Sequence, residues 1–251
     1  MLAFANPGAF LRLADRIVPM LGGAAALTLA LGLALAFRAP PDYQQGETVR
    51  IMYLHVPAAW LSLFIYMAMS SAALGTLVWR HPLADAAQRA AAPLGAVFTL
   101  LCLVTGSLWG KPMWGTYWIW DARLTSVLVL FLIYLALVAL WGSMEDRGRA
   151  ARVAAVLTLA GLVNIPVIKF SVDWWNTLHQ PASVFRAGGP TIAGPMLWPL
   201  LVMAFGATLL FLTLHVMAIR NEILARRLER LTRQELGEPA ASTALLLEPA
   251  E

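Results

Sequence analysis

Six times along this chain, a run of roughly 18 to 25 residues passes with almost no charge. Each run is long enough to cross about 30 Å of hydrocarbon as a helix rising 1.5 Å per residue. Lipid offers the backbone no hydrogen-bond partners, so a spanning segment is either a helix or a strand of a closed barrel. The runs lack the two-residue alternation of a barrel strand, which leaves helices. Composition agrees: the 251 residues are 60% hydrophobic and only 13% charged, against about a quarter charged in a soluble domain. The predicted fold class is an all-α, polytopic membrane helix bundle with six transmembrane helices. No internal repeat or low-complexity tract is visible.

The predicted spans are about 17–37, 56–79, 91–109, 125–142, 153–170 and 196–219. Pro57, Pro93 and Pro199 fall near span ends, where a missing N–H costs least, and Pro166 is expected to kink the fifth helix. The first run has a basic start at Arg12 and Arg16, and Ala34-Leu35-Ala36 resembles a cleavage site. Its apolar stretch is longer than the 7–15 residues of a signal core, so a retained helix is expected. The chain divides into one six-helix domain, 1–220, and a tail, 221–251. Leu224, Leu228 and Leu231 recur in the tail at helical spacing. That pattern fits a solvated extension of the last helix, with a docking surface for a cytoplasmic partner as the alternative. Residues 237–251 read as loosely ordered.

Lys and Arg set the orientation. Twelve of the 18 fall on one side: Arg12, Arg16, Arg80, Arg89, Arg147, Arg149, Arg152 and five tail arginines. The other six are Arg38, Arg50, Lys111, Arg123, Lys169 and Arg186. The twelve-residue side is the expected cytoplasmic side, which puts both termini inside. The pI near 9.6 is then a topological signal and gives no reason to expect nucleic-acid binding.

The predicted outer loop of about 109–126 reads WGKPMWGTYWIWDARLTS and holds four tryptophans. Trp is large and amphipathic, with one N–H donor, and it favours the membrane–water boundary. This density, with two glycines allowing close packing, suits a floor for a flat, mostly apolar ligand with a polar edge. A porphyrin fits that description. Span parity also places His55 and His179 on the outer side, whereas His81 and His215 belong to the inner side. A lone boundary His is usually only hydrogen-bonded. A pair beside an aromatic floor is a candidate set of axial ligands for haem iron. Trp174 and Trp175 add a second aromatic patch before His179. Arg presents a planar fork that matches a carboxylate, so Arg50 and Arg123 are candidate partners for haem propionates, with Lys111 a weaker one. Asp121 is a candidate to accept from an indole, to orient Arg123 or to cap the following helix. Ion pairing or simple anchoring would equally account for Arg123.

Several chemistries lack their residues. Cys102 is the only cysteine, so no C-x-x-C-H and no disulfide exists. A phosphate-binding Gly-rich loop is missing, so the chain is not expected to hydrolyse nucleotide. No acidic series runs through the spans as in many proton-driven pumps. Paired mid-span histidines of a transmembrane electron carrier are also missing. Both candidate ligands lie at the rim, which suits hand-over to an outside partner.

The Trp-rich segment resembles the WWD motif of haem-handling membrane proteins. With DYQQGETVRIMYLHVPAAW, DWWNTLHQPAS and six spans, the chain is similar to the cytochrome c maturation C, or haem exporter C, family. The likeness runs from about residue 40 to 182. Larger WWD relatives that attach haem to apocytochrome have more spans and more histidines. The resemblance implies that His55 and His179 are axial ligands of haem b, iron protoporphyrin IX. It implies that Trp114, Trp118, Trp120 and Asp121 belong to the haem-binding motif. It implies a multi-pass protein of the bacterial inner membrane with a periplasmic haem site. The implied partners are a membrane-anchored haem chaperone (protein E), a small membrane protein D, and ABC transporter subunits A and B. The implied role is to present haem for c-type cytochrome biogenesis, as a non-enzymatic subunit. Rival classes are a transporter with a polar path between helices, a structural subunit whose tryptophans only anchor it, and a quinone-linked redox subunit.

Overall fold

The computed structural model describes residues 6–236. The expected loose ordering of 237–251 lies outside the described residues. Seven helices follow in order: α1 (Pro7–Arg38), α2 (Met52–Trp79), α3 (Pro82–Trp114), α4 (Ala122–Ser143), α5 (Arg147–Gly161), α6 (Asn164–Trp174) and α7 (Gly194–Glu235). A short 3-10 turn, Glu47–Ile51, leads into α2. Together α5 and α6 make one span, so six helical segments are long and apolar enough to cross a membrane. The expected six-helix bundle is the fold observed.

Local chemistry sets several helix starts. Asn6 accepts from the Gly8 N–H at 2.8 Å, and Pro7 occupies the first turn of α1, where no donor is lost. Asp121 accepts from Leu124 N–H at 2.7 Å and starts α4. Asp146 accepts from Arg149 N–H at 3.0 Å and starts α5. Capping was one of the three roles open for Asp121.

Two boundaries differ from expectation. The Trp-rich segment is not a loop over 109–126, because α3 continues through Trp114. Its stop is Gly115, in the left-handed region at φ 76°, whose N–H donates to Lys111 O at 3.0 Å. Only residues 115–121 are non-helical between α3 and α4. In the fifth span the kink expected at Pro166 is a break at Leu162–Val163. Proline at 166 has no N–H for the Leu162 carbonyl and crowds it sterically. That carbonyl accepts instead from Ile165 N–H at 3.1 Å.

α2, α3 and α4 form the centre of the bundle. Leu61, Ile65 and Met69 of α2 pack on Ala91, Ala92 and Ala96 of α3 and on Leu130 and Leu137 of α4. Small residues on α3 permit close backbone approach, which is how helices gain dispersion energy in lipid. Two buried tyrosines lie edge to face, 5.4 Å between rings. Tyr66 donates to Thr158 O at 2.9 Å, tying α2 to α5, and Tyr134 donates to Ser62 O at 2.8 Å, tying α4 to α2. α1 lies along α7, where Gly32 faces Met203 and Gly206 faces Leu29.

At the end opposite the Trp-rich segment, α3, α5 and α7 are joined by charge. One oxygen of Glu222 accepts from Arg89 and Arg147 at 3.1 Å and from Arg226 at 2.7 Å. Arg226 also reaches Asp85 at 2.7 Å, and Arg147 reaches Glu229 at 2.5 Å. α7 runs through residue 220 without a break, so the described part of the tail continues the last span. Leu224, Leu228 and Leu231 are exposed on it, while Ile223 is buried against Ala86 and Ala90.

Candidate functional site

A cavity of about 760 Å³ opens between the ends of α2, α3, α4, α6 and α7 and the segments joining them. That volume lies within the roughly 300–1,000 Å³ of cofactor pockets. His55 and His179 both line it, although 124 positions separate them in sequence. Trp60, Trp109, Trp114, Trp118, Arg123 and Lys169 line it too. The parity argument for the two histidines therefore corresponds to one shared chamber.

His55 sits on the first turn of α2. Its Nδ1 lies 3.1 Å from the Cys102 carbonyl oxygen and 3.1 Å from Thr105 Oγ1. A carbonyl only accepts, so Nδ1 carries the proton and Nε2 keeps its lone pair. The Thr105 hydroxyl already donates to Leu101 O at 2.6 Å, leaving its oxygen to accept. Gly106 makes room for the ring: a Cβ there would lie 2.8 Å from His55 Cε1. Trp109, one turn further, stands edge-on to the imidazole with 5.7 Å between rings. The Trp109 indole N–H donates to Gln45 Oε1 at 2.8 Å, fastening the 39–46 segment to α3.

His179 is held differently, from a segment without regular structure. Asp121 is the organising group. One of its oxygens caps α4, and the other accepts from Thr177 Oγ1 at 2.5 Å. Thr177 Oγ1 in turn accepts from the His179 N–H at 3.0 Å. His179 Nδ1 is 3.6 Å from Asp121 Oδ2, too long for a hydrogen bond but close enough for attraction. Nδ1 is buried with no partner among the described residues. Burial pushes the His179 pKa below its ordinary 6.5; Asp121 opposes that shift and Arg123 reinforces it. Burial thus favours the neutral ring, a carboxylate stands behind Nδ1, and Nε2 makes no hydrogen bond among the described residues; a carboxylate so placed orients a metal-ligating imidazole. Trp114 closes on it edge-on at 4.8 Å.

The remaining candidates separate by direction. Trp114 and Trp118 line the cavity, and the Trp118 indole N–H is buried without a partner among the described residues. Trp120, Trp174 and Trp175 do not line it and are 75%, 56% and 50% exposed. They form part of the outer aromatic surface, where amphipathic rings favour a membrane boundary. Arg50 is turned away from the cavity, bonded to Glu47 and to the Ala36 carbonyl at the end of α1. Lys111 donates to Gly115 O at 2.9 Å and lies over the Tyr117 ring. Arg123 does line the cavity; its Nε donates to Ser171 Oγ at 2.6 Å, and its two terminal nitrogens are uncommitted among the described residues. His81 caps α3 at the opposite end, accepting from Leu83 N–H at 3.2 Å. His215 stacks on Phe211, 5.3 Å between rings.

Sequence reasoning named neither Trp60 nor Gln45, and it gave Trp109 and Lys169 no specific part in the site. Lys169 carried the one available signal, a lone cation inside the fifth apolar run. Gln45 carried none, because its role depends on where α3 places Trp109.

The chain matches the family described as Heme exporter protein C over residues 1–234. It is similar to a Heme exporter protein C of Bradyrhizobium diazoefficiens, 61% identical over 245 residues, 98% of this chain and 93% of that protein. It is also similar to the Heme exporter protein C of Escherichia coli strain K12, 50% identical over 209 residues, 82% of this chain and 84% of that protein. A third, from Paracoccus denitrificans, is 45% identical over 234 residues, covering 92% and 97%. Such identity, sustained over both chains and joined to the six-span fold, means that this chain belongs to the heme exporter protein C family.

Proposed function

We propose that the chain binds haem b in the His55–His179 cavity and presents it, at the periplasmic face of the bacterial inner membrane, to a haem chaperone for c-type cytochrome biogenesis. Haem is cargo here, not a resident cofactor. The observation that carries this reading is two imidazoles lining one aromatic cavity, His55 with Nδ1 against the Cys102 carbonyl and His179 with Nδ1 3.6 Å from Asp121 Oδ2, neither Nε2 being hydrogen-bonded among the described residues. Two such nitrogens suit six-coordinate haem iron. The periplasmic assignment rests on the twelve-to-six distribution of Lys and Arg.

Each element has a defined part. His55 and His179 ligate iron. Trp109, Trp114 and Trp118 cover the macrocycle and exclude water. Asp121 positions His179 through Thr177 and the α4 cap. Arg123 takes a propionate with its free fork. The protein positions reactants and leaves nucleotide hydrolysis to ABC transporter subunits A and B, beside small protein D and the membrane-anchored chaperone E. Proximity is its contribution to the transfer. Trp120, Trp174 and Trp175 anchor the outer rim in the lipid headgroups.

The test is the visible spectrum of the purified protein, ferric and dithionite-reduced, beside His55→Ala and His179→Ala. A low-spin haem spectrum altered in either variant is the expected result. A colourless parent after haem is supplied with the chaperone present, or unaltered spectra in both variants, would overturn the axial assignment.

A further inference from the structure

Six Lys and Arg residues belong to the site end of the bundle by span parity. Among the described residues, only Arg123 and Lys169 of these line the cavity. Arg50 and Lys111, the other cations nearest the Trp-rich segment, are spent on Ala36 O and Glu47 and on Gly115 O. Lys169 lies inside the fifth span, on α6, one turn before Asp173. Its ammonium makes no hydrogen bond or ion pair among the described residues, and the residue is exposed where it lines the cavity. An ammonium at membrane depth is costly unless it meets water, a carboxylate or a ligand. A lysine can also snorkel along lipid to the interface. Lys169 is exposed and lines the cavity beside Ile168 and Val172, which line it as well.

Arg123 faces the same space from α4. The two helices are joined by the Arg123–Ser171 hydrogen bond and by Asn164 Nδ2 donating to Ser126 O at 2.9 Å. Two cations therefore stand on adjoining helices at one side of an otherwise largely aromatic and aliphatic chamber. Two acidic residues, Asp42 and Asp173, line it too. Asp42 is engaged with the Gln44 and Gln45 N–H groups, both at 2.9 Å.

We propose that Lys169 is a second anion-recognising residue of this cavity, which takes one carboxylate of a flat dicarboxylate ligand while Arg123 takes the other. This rests on the haem reading above and extends it. The carboxylate edge of the porphyrin is turned toward α4 and α6. The opposite edge, which carries the vinyl groups, is turned away from them. Lys169 is thus a positioning residue: it selects which edge of the macrocycle is offered for transfer.

The experiment compares the full-length chain in lipid nanodiscs with Lys169→Met and Lys169→Arg. The probes are ferric protoporphyrin IX and its dimethyl ester, which has the same ring and iron but no free carboxylate. Lys169→Met is expected to weaken binding of the acid about ten- to a hundredfold, as for loss of a charged hydrogen bond. It should leave ester binding unchanged, and Lys169→Arg should restore most of the acid affinity. Equal weakening of acid and ester would mean that Lys169 only packs, and unchanged acid affinity would mean that it does not meet the ligand; either overturns the proposal. A parent that binds neither porphyrin overturns the haem reading itself, a result visible before any variant is made.

Discussion

Gly106→Ala tests the site by setting one methyl group against the His55 ring. The added Cβ would sit 2.8 Å from His55 Cε1, whereas ordinary contact begins near 3.4 Å. The imidazole must therefore move by about 0.6 Å or tilt. Metal–ligand bonds tolerate only about 0.2 Å. The ring is also fixed from behind, with Nδ1 at 3.1 Å from both Cys102 O and Thr105 Oγ1. To keep its ligating position it must leave its rotamer, which costs about 0.5–1.5 kcal/mol. That corresponds to about two- to tenfold weaker haem binding and a shift from low-spin toward mixed-spin iron. The fold itself should not suffer, since Ala is the better helix former by about 1 kcal/mol. Soret titration and low-temperature electron paramagnetic resonance read the ligand change, and thermal unfolding reads the helix. A Gly106→Ala protein with parental affinity and an unchanged low-spin signal would refute the claim that this His55 pose is the ligating one.

The site has a definite acid response. Burial lowers the His179 pKa below 6.5. Folding therefore gains nothing from this group above pH 6.5; below it the unfolded chain takes up a proton that the folded chain refuses, and stability declines until the folded pKa is passed. Haem bound through neutral His179 should accordingly persist below pH 6.5, and a spectrophotometric titration with its midpoint at or above that value would contradict the assignment. Asp121→Asn removes a group that raises this pKa, so the midpoint should move further down. Gln45→Leu deletes the acceptor of the Trp109 indole; about 1 kcal/mol of local stability should go, read as faster amide exchange across residues 39–46, and unchanged exchange would count against the latch. Glu222→Gln leaves three guanidiniums sharing a neutral amide at the far end. Those arginines are 25% to 38% exposed, so solvent screening limits the expected loss to about 1–3 kcal/mol. Thermal unfolding should show the loss while haem affinity stays parental.

Much of the architecture was legible because lipid imposes a simple rule. A charge-free run of the right length must be a helix, so the six spans could be read from composition alone. Parity then placed His55 and His179 at one end, and the structure puts both around one cavity. Direction was not legible. Trp118 and Trp120 are two residues apart, yet one lines the cavity and the other is mostly exposed. Both environments want an apolar body with one donor, so the residue type cannot distinguish them. Arg50 looked well placed beside His55, but the 3-10 turn aims it at the Ala36 carbonyl. The length of α3 was underestimated because Lys111 and Pro112 look like a span end, although the helix tolerates both and stops at Gly115. Asp121 could be recognised as a cap from its position before Leu124; its hold on Thr177 is a tertiary contact across 56 positions.

The two histidines hang from parts of unequal stiffness. His55 rides on a helix buried at the centre of the bundle. His179 hangs from the irregular stretch between Trp174 and Gly194, secured by Thr177 and Asp121. A vise with one jaw bolted to the bench opens by the other. In the haem reading, surrender of the cargo therefore has a built-in order. His179, held from the irregular segment by the Thr177–Asp121 contact, would be the ligand released first, and His55, on a buried helix, the one that would hold the cargo longer.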